Sequence, residues 1–170
     1  MDLHRFIRDI PDFPKPGILF KDITPLLLNA EAFSYVIETL SDRYRNEAID
    51  KIVGIESRGF IFGAAMANHM KKGFIPMRKP GKLPAETISQ SFDLEYGKDT
   101  LEIHRDALKP SESVLIVDDV LATGGTLEAA IQLVEKAGGR AAEVLTVVEL
   151  TFLKGRERLK NEKLFSLLQF

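Results

Sequence analysis

Residues 114–126, with the sequence VLIVDDVLATGGT, constrain the fold of this chain more than any other stretch. Residues 114–117 form a continuous apolar run that is typical of a strand buried on both faces in a parallel sheet. A helical pattern begins at Leu127 and ends at Gly138 and Gly139. A buried strand that leads through a short turn into a helix predicts an α/β fold.

The turn between this strand and helix is rich in glycine and threonine. Gly124 and Gly125 have no β-carbon, so a phosphate can approach their backbone closely. The free N–H groups at the helix start and the hydroxyls of Thr123 and Thr126 are suitable donors to such an anion. The alternative is a turn that only closes a strand–helix unit.

Asp118 and Asp119 stand between the predicted strand and the turn. An ionised carboxylate only accepts hydrogen bonds, so the pair suits the two hydroxyl donors of a sugar diol; two solvated aspartates are the alternative. The G-x-x-x-x-G-K-[ST] and G-x-G-x-x-G patterns of nucleotide-binding loops do not occur. No aspartate follows Asp119, although a phospho-receiver domain would need one. A phosphorylated sugar is therefore the favoured ligand.

A second strand, turn and helix come earlier in the chain. Residues 49–56 predict a strand, residues 60–72 predict a helix, and Ser57 and Arg58 lie in the turn between them. Arg58 adds a forked positive charge to the free N–H groups of the helix start, which suits an anion, although a solvated arginine is the alternative. Because the carboxyl ends of parallel strands meet at one edge, both turns are expected to face a shared crevice.

A cationic loop and a hairpin lie between these two units. Arg78 and Lys82, with Lys79 between them, follow a predicted strand, either as a solvated loop or as charges that neutralise a diphosphate. Apolar and polar residues alternate in residues 86–96 and 100–105, on both sides of a glycine turn. This pattern predicts a hairpin that could close over a site.

The chain ends carry further apolar segments. Residues 3–10 predict a short helix, and residues 13–25 predict either a loop over the core or a wall for a flat ring. Asn29 is the predicted N-cap of an amphipathic helix. Residues 151–160 predict a solvated basic helix face, and residues 164–170 predict an edge strand or an interface.

The composition is that of an ordinary globular protein. A length of 170 residues suits one domain, and a net charge of -2 gives no electrostatic reason to expect nucleic acid as a partner. The chain has no cysteine, which excludes disulfides and thiolate metal sites and is compatible with the cytosol. Its first residues have neither the signal-peptide pattern nor the length of a membrane span.

The ordered combination VLIVDDVLATGGT resembles the phosphoribosyl diphosphate (PRPP) signature of the type I phosphoribosyltransferases. Further stretches are similar to the adenine-specific branch of that family, and together they span nearly the whole chain. They are PDFPKPGILFKDITPLL, GIESRGFIFG, RKPGKLP, SFDLEYGKDTLEIHRDAL, VELTFLKGRERL and FSLLQF.

The resemblance implies a mostly parallel sheet flanked by helices in a single domain of residues 1–170, with an N-terminal hood (1–28) and a flexible hairpin lid (84–106). It implies purine salvage, in which PRPP and adenine give AMP and diphosphate, with Mg²⁺ bound to PRPP and not directly to the protein. It also implies a cytoplasmic homodimer. Transfer to another purine base, or a PRPP-sensing regulator without catalysis, are the alternatives.

The same resemblance assigns the site residues. Glu95 would handle the proton on the base, and Arg58 and Lys82 would assist catalysis. A non-proline cis peptide is expected between Glu56 and Ser57, and Lys21 stands where other members carry arginine. Ribose and phosphate binding is assigned to Asp118, Asp119, Ala122, Thr123, Gly124, Gly125 and Thr126, diphosphate binding to Ser57, Arg58, Arg78 and Lys82, and adenine binding to Leu19, Phe20 and Lys21.

Overall fold

A five-stranded sheet forms the centre of the computed structural model, which describes residues 1–93 and 97–170. Its strands, in spatial order, are β4 (Gly73–Met77), β3 (Lys51–Ile55), β7 (Ser113–Leu121), β8 (Arg140–Glu149) and β9 (Leu164–Gln169). All neighbouring strands in this sheet run parallel. The predicted α/β class with a mostly parallel sheet is confirmed.

Helices cover both faces of this sheet. They are α1 (Thr24–Leu28), α2 (Ala30–Arg43), α3 (Arg58–Met70), α4 (Gly125–Lys136) and the short α5 (Gly155–Arg158). Successive strand residues point to opposite faces, so Ile52 shares a core with Phe62 of α3, whereas Val53 shares a second core with Ile131 of α4. Within residues 1–93 and 97–170, none of the helices has the length and apolar character of a membrane span.

The N-terminal segment forms a small antiparallel sheet of its own. Strand β1 (Arg8–Pro11) pairs with β2 (Leu19–Asp22), and the Arg8 guanidinium donates to the Asp22 carboxylate at 2.7 Å. The helix predicted over residues 3–10 is therefore wrong, because only Leu3–Phe6 form a single 3₁₀ turn. A helix this short is marginal by itself, and pairing with β2 provides the backbone partners instead.

A second antiparallel pair is the predicted hairpin, formed by β5 (Thr87–Asp93) and β6 (Lys98–His104). Its two strands are confirmed, while the predicted continuation to residue 96 lies outside the described residues. Reciprocal backbone bonds between Arg78 and Glu102, at 2.9 and 2.6 Å, fasten the hairpin to the loop that follows β4.

The strand that precedes the glycine turn is longer than predicted. Strand β7 continues past Val117 to Leu121, so Asp118 and Asp119 lie within it and not after its end. The neighbouring strand β8 keeps it extended, since their register continues to the pair Leu121 and Glu149. The apolar pattern could not show this extension, because it breaks at the two carboxylates.

The region after β8 also differs from its prediction, while the chain end agrees. Residues 151–160 do not form one helix face but a 3₁₀ turn, Thr151–Leu153, and the single turn of α5. Strand β9 lies at the edge of the central sheet beside β8, as predicted for the apolar C-terminus.

The N-cap of α2 allows a direct test of the local structure. The Asn29 side chain accepts a hydrogen bond from the Ala32 backbone at 2.9 Å. We expect Asn29→Ala to lower the free energy of unfolding by about 1 kcal/mol in urea titrations, because a helix donor loses its partner. Asn29→Ser should retain most of that stability, and Asn161→Ala, at an exposed loop position, should change it little. An unchanged Asn29→Ala variant would contradict the capping role.

Candidate active site

A cavity of about 410 Å³ opens at the carboxyl ends of β3 and β7. These strands are neighbours in the sheet, with Gly54 opposite Val117, so the segments that follow them meet. This is the crevice predicted from the two turns. The predicted site residues that line the cavity are Ser57, Arg58, Asp118, Asp119, Ala122, Thr123, Gly124 and Thr126.

The turn from Ala122 to Thr126, which we call the 122–126 loop, leads from β7 into α4. Gly124 is the N-cap of α4 in a left-handed conformation with φ +86°, which a side chain would strain. No side chain caps this helix start, so its backbone N–H groups remain available to a ligand. Gly125 does not line the cavity, but a β-carbon there would lie 3.4 Å from both Asp93 O and Arg158 Nη1.

The acidic pair is almost completely buried, with 8% of Asp118 and 5% of Asp119 exposed. One carboxylate oxygen of Asp118 accepts from the Asp119 backbone N–H at 2.9 Å. Burial raises the pKa of Asp118 well above its ordinary value, and the Asp119 charge raises it further. Burial also raises the pKa of Asp119, although the Arg58 guanidinium opposes that rise. The nearby positive charge of Arg58 therefore does not fully offset the cost of burying the two ionised carboxylates.

Arg58 lines the cavity and connects two of its walls. Its Nε lies 2.7 Å from the Asp119 carboxylate, and its guanidinium carbon lies 5.3 Å from the centre of the Phe20 ring. Arg58 opens α3 directly after the non-proline cis peptide between Glu56 and Ser57, which confirms that expectation. A β-carbon on the next residue, Gly59, would lie 2.7 Å from the Val117 carbonyl oxygen, so only glycine lets α3 start this close to β7.

The predicted cations Arg78 and Lys82 do not line the cavity. Arg78 donates to the Glu56 carboxylate at 3.1 Å and to the Lys82 carbonyl at 3.3 Å. Despite partial burial, the pKa of Glu56 is lowered by the Lys79 backbone N–H and by Arg78. The loop thus holds Glu56 ionised at the start of the cis peptide.

Sequence reasoning assigned no role to three polar residues that line the cavity, which are Glu56, Lys79 and Asp99. Lys79 and Asp99 both line it and form an ion pair at 2.7 Å, which joins the cationic loop to the hairpin. The charge of Lys79 is a signal in the sequence, because it is one of the three cations of the loop that could neutralise a diphosphate. Asp99 offered none, because only the folded hairpin brings it to this position.

The predicted ring-binding segment lies beside the cavity. Phe20 meets the edge of Phe13 at 5.2 Å between ring centroids and faces Arg58 on its other side. Leu19 is 44% exposed. The Lys21 side chain instead turns away to Asp9, at 2.6 Å, and over the ring of Phe170. Its ammonium is therefore occupied outside the cavity, and its backbone remains for any contact with a ring.

The remaining predicted site features concern Glu95 and metal. Glu95 lies outside the described residues. Among residues 1–93 and 97–170 there is no group of three or more histidine, aspartate or glutamate side chains arranged to hold a metal ion. Magnesium commonly binds through substrate phosphates with one or two carboxylates, so a phosphate-rich ligand beside Asp118 and Asp119 fits the oxygen donors present here.

Known proteins are similar to this chain over nearly its full length. The family model described as "Phosphoribosyl transferase domain" matches residues 26–167. An adenine phosphoribosyltransferase from Chloroflexus aurantiacus is 59% identical over 169 residues, which cover 99% of this chain and 98% of the relative. The crystal structure of the Thermoanaerobacter pseudethanolicus adenine phosphoribosyltransferase has a TM-score of 0.96 at 51% identity, over 99% of this chain and 98% of that one.

A third comparison concerns a protein with bound ligands. The adenine phosphoribosyltransferase of Saccharomyces cerevisiae was crystallised with adenine and an imino-altritol bisphosphate. Its structure has a TM-score of 0.92 at 42% identity and covers 98% of this chain and 97% of its own.

Because Asp118 and Asp119 are buried, their charges should lower the stability of the protein. We expect Asp118→Asn to raise the free energy of unfolding at pH 7 by about 1 kcal/mol, since it removes an uncompensated buried charge and keeps the acceptor oxygen. The folded-state pKa is raised, so the charge begins to cost stability above about pH 4, the ordinary value for aspartate, and costs most above the raised pKa.

Denaturant titrations across this pH range would check the prediction. The advantage of Asp118→Asn over the original protein should be absent below pH 4 and grow as the pH rises. Asp106→Asn, at an exposed position, should show no such growth. An advantage that does not depend on pH would contradict the electrostatic cause.

Proposed function

The chain belongs to the adenine phosphoribosyltransferases, and we propose that it transfers the 5-phosphoribosyl group of PRPP to adenine, giving AMP and diphosphate in purine salvage. One observation carries this function. The ion pair between Arg58, at the start of α3, and Asp119, near the end of β7, brings the predicted anion site and the predicted sugar-phosphate site together in a single cavity at a distance of 2.7 Å. A donor with a phosphate at one end and a diphosphate at the other fits that arrangement.

The 5′-phosphate of the donor is assigned to the 122–126 loop. Its backbone N–H groups and the start of α4 provide donors and a favourable dipole, and the hydroxyls of Thr123 and Thr126 add further donors. The buried carboxylates of Asp118 and Asp119 lie near the end of β7, which leads into this loop, and would accept from the two ribose hydroxyls. These bonds also compensate for the burial of the carboxylates.

The diphosphate is assigned to the Ser57–Arg58 turn and to the cationic loop. When PRPP binds, Arg58 would leave the Asp119 carboxylate and pair with the diphosphate. The ribose hydroxyls would then donate to the Asp119 carboxylate in place of Arg58. We assign Arg78 and Lys82 to the same group by their positions in the family motif, supported by Lys79 of that loop in the cavity wall. Several cations are needed because a diphosphate carries more charge than two helix starts can balance.

Adenine is assigned to the hood segment at Leu19, Phe20 and Lys21. The Phe20 ring lies 5.3 Å from the guanidinium carbon of Arg58, so the hood segment borders the cavity in which the sugar and the diphosphate are proposed to bind. Stacking on Phe20 would orient the flat base. The engagement of the Lys21 side chain with Asp9 supports recognition of the base by the backbone of this segment.

The reaction follows from the charges in the site. Cleavage of the bond to diphosphate leaves positive charge on the sugar, as in other glycosyl transfers. Arg58, Arg78 and Lys82 would stabilise the negative charge that grows on the diphosphate. Mg²⁺ bound with PRPP supplies further positive charge to this leaving group. The hairpin of residues 84–106 would act as a lid that excludes water and prevents hydrolysis of PRPP.

We further propose that the protein acts as a cytoplasmic homodimer. The absence of cysteine suits a reducing compartment, and exposed apolar side chains suit a subunit contact. Leu28 is 85% exposed and Phe152 is 64% exposed. Light scattering during gel filtration tests the assembly, and a monomer mass would overturn it.

An assay with PRPP, Mg²⁺ and a purine base tests the function. We expect diphosphate and AMP to appear with adenine, and turnover to be far slower with guanine or hypoxanthine. Turnover only with another purine would keep the fold and overturn the substrate. Tight PRPP binding without turnover on any base would instead support a PRPP-sensing regulator.

Glu95 is the proposed group for the proton on the imidazole edge of adenine. We expect Glu95→Gln to lower kcat by roughly 10²-fold or more, because the amide cannot exchange a proton with the base. The KM for PRPP should change little. Glu86→Gln provides a control on the same hairpin, where the carboxylate pairs with Arg105 at 2.7 Å. A near-normal kcat for Glu95→Gln would end the assignment.

A further inference from the structure

We propose that residues 150–158, which we call the Gly155 turn, position the 122–126 loop for the 5′-phosphate, with Gly155 as the positioning residue. The inference rests on the proposed function, because it assumes that this loop binds that phosphate. The turn comes between β8 and β9, and none of its residues is among those that line the cavity described above.

The first observation is a direct contact between two backbones. A β-carbon on Gly155 would lie 2.2 Å from Ala122 O and 3.0 Å from Gly124 N. Conversely, a β-carbon on Gly124 would lie 2.8 Å from Gly155 O. Side-chain atoms do not approach a backbone this closely, so only two facing glycines permit the contact. Gly155 is also buried, although the residues on both sides of it are exposed.

The second observation is that the base of the turn is fixed to the end of the sheet. The Leu150 N–H donates to Leu121 O at 2.9 Å, so the turn begins directly beside the end of β7. Arg156 donates two bonds, at 3.0 and 2.5 Å, to the Glu149 carboxylate, which is only 4% exposed. The same guanidinium lowers the pKa of Glu149. A paired, buried carboxylate of this kind gives the turn little freedom to move.

The third observation is a link between the turn and the first turn of α4. Arg158 donates to the Glu128 carboxylate at 2.6 Å. Its guanidinium passes next to the 122–126 loop, since a β-carbon on Gly125 would lie 3.4 Å from Arg158 Nη1. The loop is thus bounded by the Gly155 backbone on one side and by Arg158 on another. The basic residues of this segment are exposed, as predicted, but Arg156 and Arg158 also form ion pairs that hold the segment in place.

These contacts matter because the loop binds through backbone donors. Such donors are useful only if they point at the phosphate within about 0.5 Å of the productive geometry. The 122–126 loop includes a left-handed glycine, which has no side chain of its own to hold it. The Gly155 turn supplies that restraint from outside. Loss of this restraint should weaken binding of the 5′-phosphate of PRPP and leave the diphosphate and adenine sites intact.

Gly155→Ala tests the proposal. We expect its KM for PRPP to rise on the order of tenfold to a hundredfold, the effect of misplacing a binding group by about 1 Å. The KM for adenine should remain unchanged. In calorimetry, ribose 5-phosphate should bind more weakly by a similar factor, while inorganic diphosphate should bind as it does to the original protein. This difference between two ligands is one that general destabilisation would not produce.

Gly139→Ala is the matched control. A β-carbon there would lie 2.7 Å from Leu108 Cδ1 and 3.3 Å from Glu112 O, which is also a crowded position. Gly139 lies just before β8, at the amino-terminal ends of the parallel strands, whereas the cavity lies at their carboxyl ends. We expect lower stability from this variant and an unchanged affinity for ribose 5-phosphate.

Arg158→Gln and Glu128→Gln keep the proposal testable if Gly155→Ala does not fold, because both side chains are partly exposed. Each should weaken ribose 5-phosphate binding several-fold, and the double variant should be no weaker than the singles, as expected for one shared contact. Unchanged ribose 5-phosphate binding in these variants, or equal weakening of ribose 5-phosphate and diphosphate, would overturn the proposal. Absence of adenine turnover in the original protein would overturn the proposed function alone, since ribose 5-phosphate binding is measured without a base.

Discussion

The parallel pairing of β3 with β7 is the constraint on which the site depends. Its register brings Gly54 opposite Val117, and each strand then continues into its own helix through a short turn. Gly59 allows α3 to begin against the Val117 carbonyl, where a β-carbon would lie at only 2.7 Å. Without that close approach, Arg58 could not reach Asp119. The chemistry of the cavity is thus a consequence of how two strands pair and how near one helix starts.

The second constraint is electrostatic. Two carboxylates buried side by side cost folding energy, and the positive charge of Arg58, which pairs directly with Asp119, only partly offsets that cost. The same guanidinium also lies 5.3 Å from the ring centre of Phe20. Without substrate, Arg58 therefore contacts a residue of the proposed ribose site, Asp119, and a residue of the proposed adenine site, Phe20. Arrival of the donor would exchange these internal contacts for contacts with substrate. We infer that such an arrangement stores part of the binding energy as unsatisfied charge, which a rigid scaffold makes possible.

Local patterns in the sequence predicted most of the sheet, but not the ends of its elements. Apolar runs indicated β3, the first part of β7 and β9, and the order of strand, carboxylates and glycines indicated the cavity. The same patterns failed at Asp118, because extended structure there depends on β8. They also failed at residues 3–10, where a strand partner lies beyond several prolines. Both errors arise where a partner distant in sequence decides the backbone conformation.

The basic segment near the C-terminus shows why the rest could not be predicted. Alternating charges at Arg156, Glu157 and Arg158 are typical of a solvated surface, and nothing nearby in the sequence points to Glu149 or Glu128 as partners. Gly155 likewise looks like an ordinary turn glycine until the fold sets it against Gly124. A phosphate-binding motif names the residues that touch the ligand. The backbone that keeps those residues in shape comes from another part of the chain, and only the folded structure identifies it.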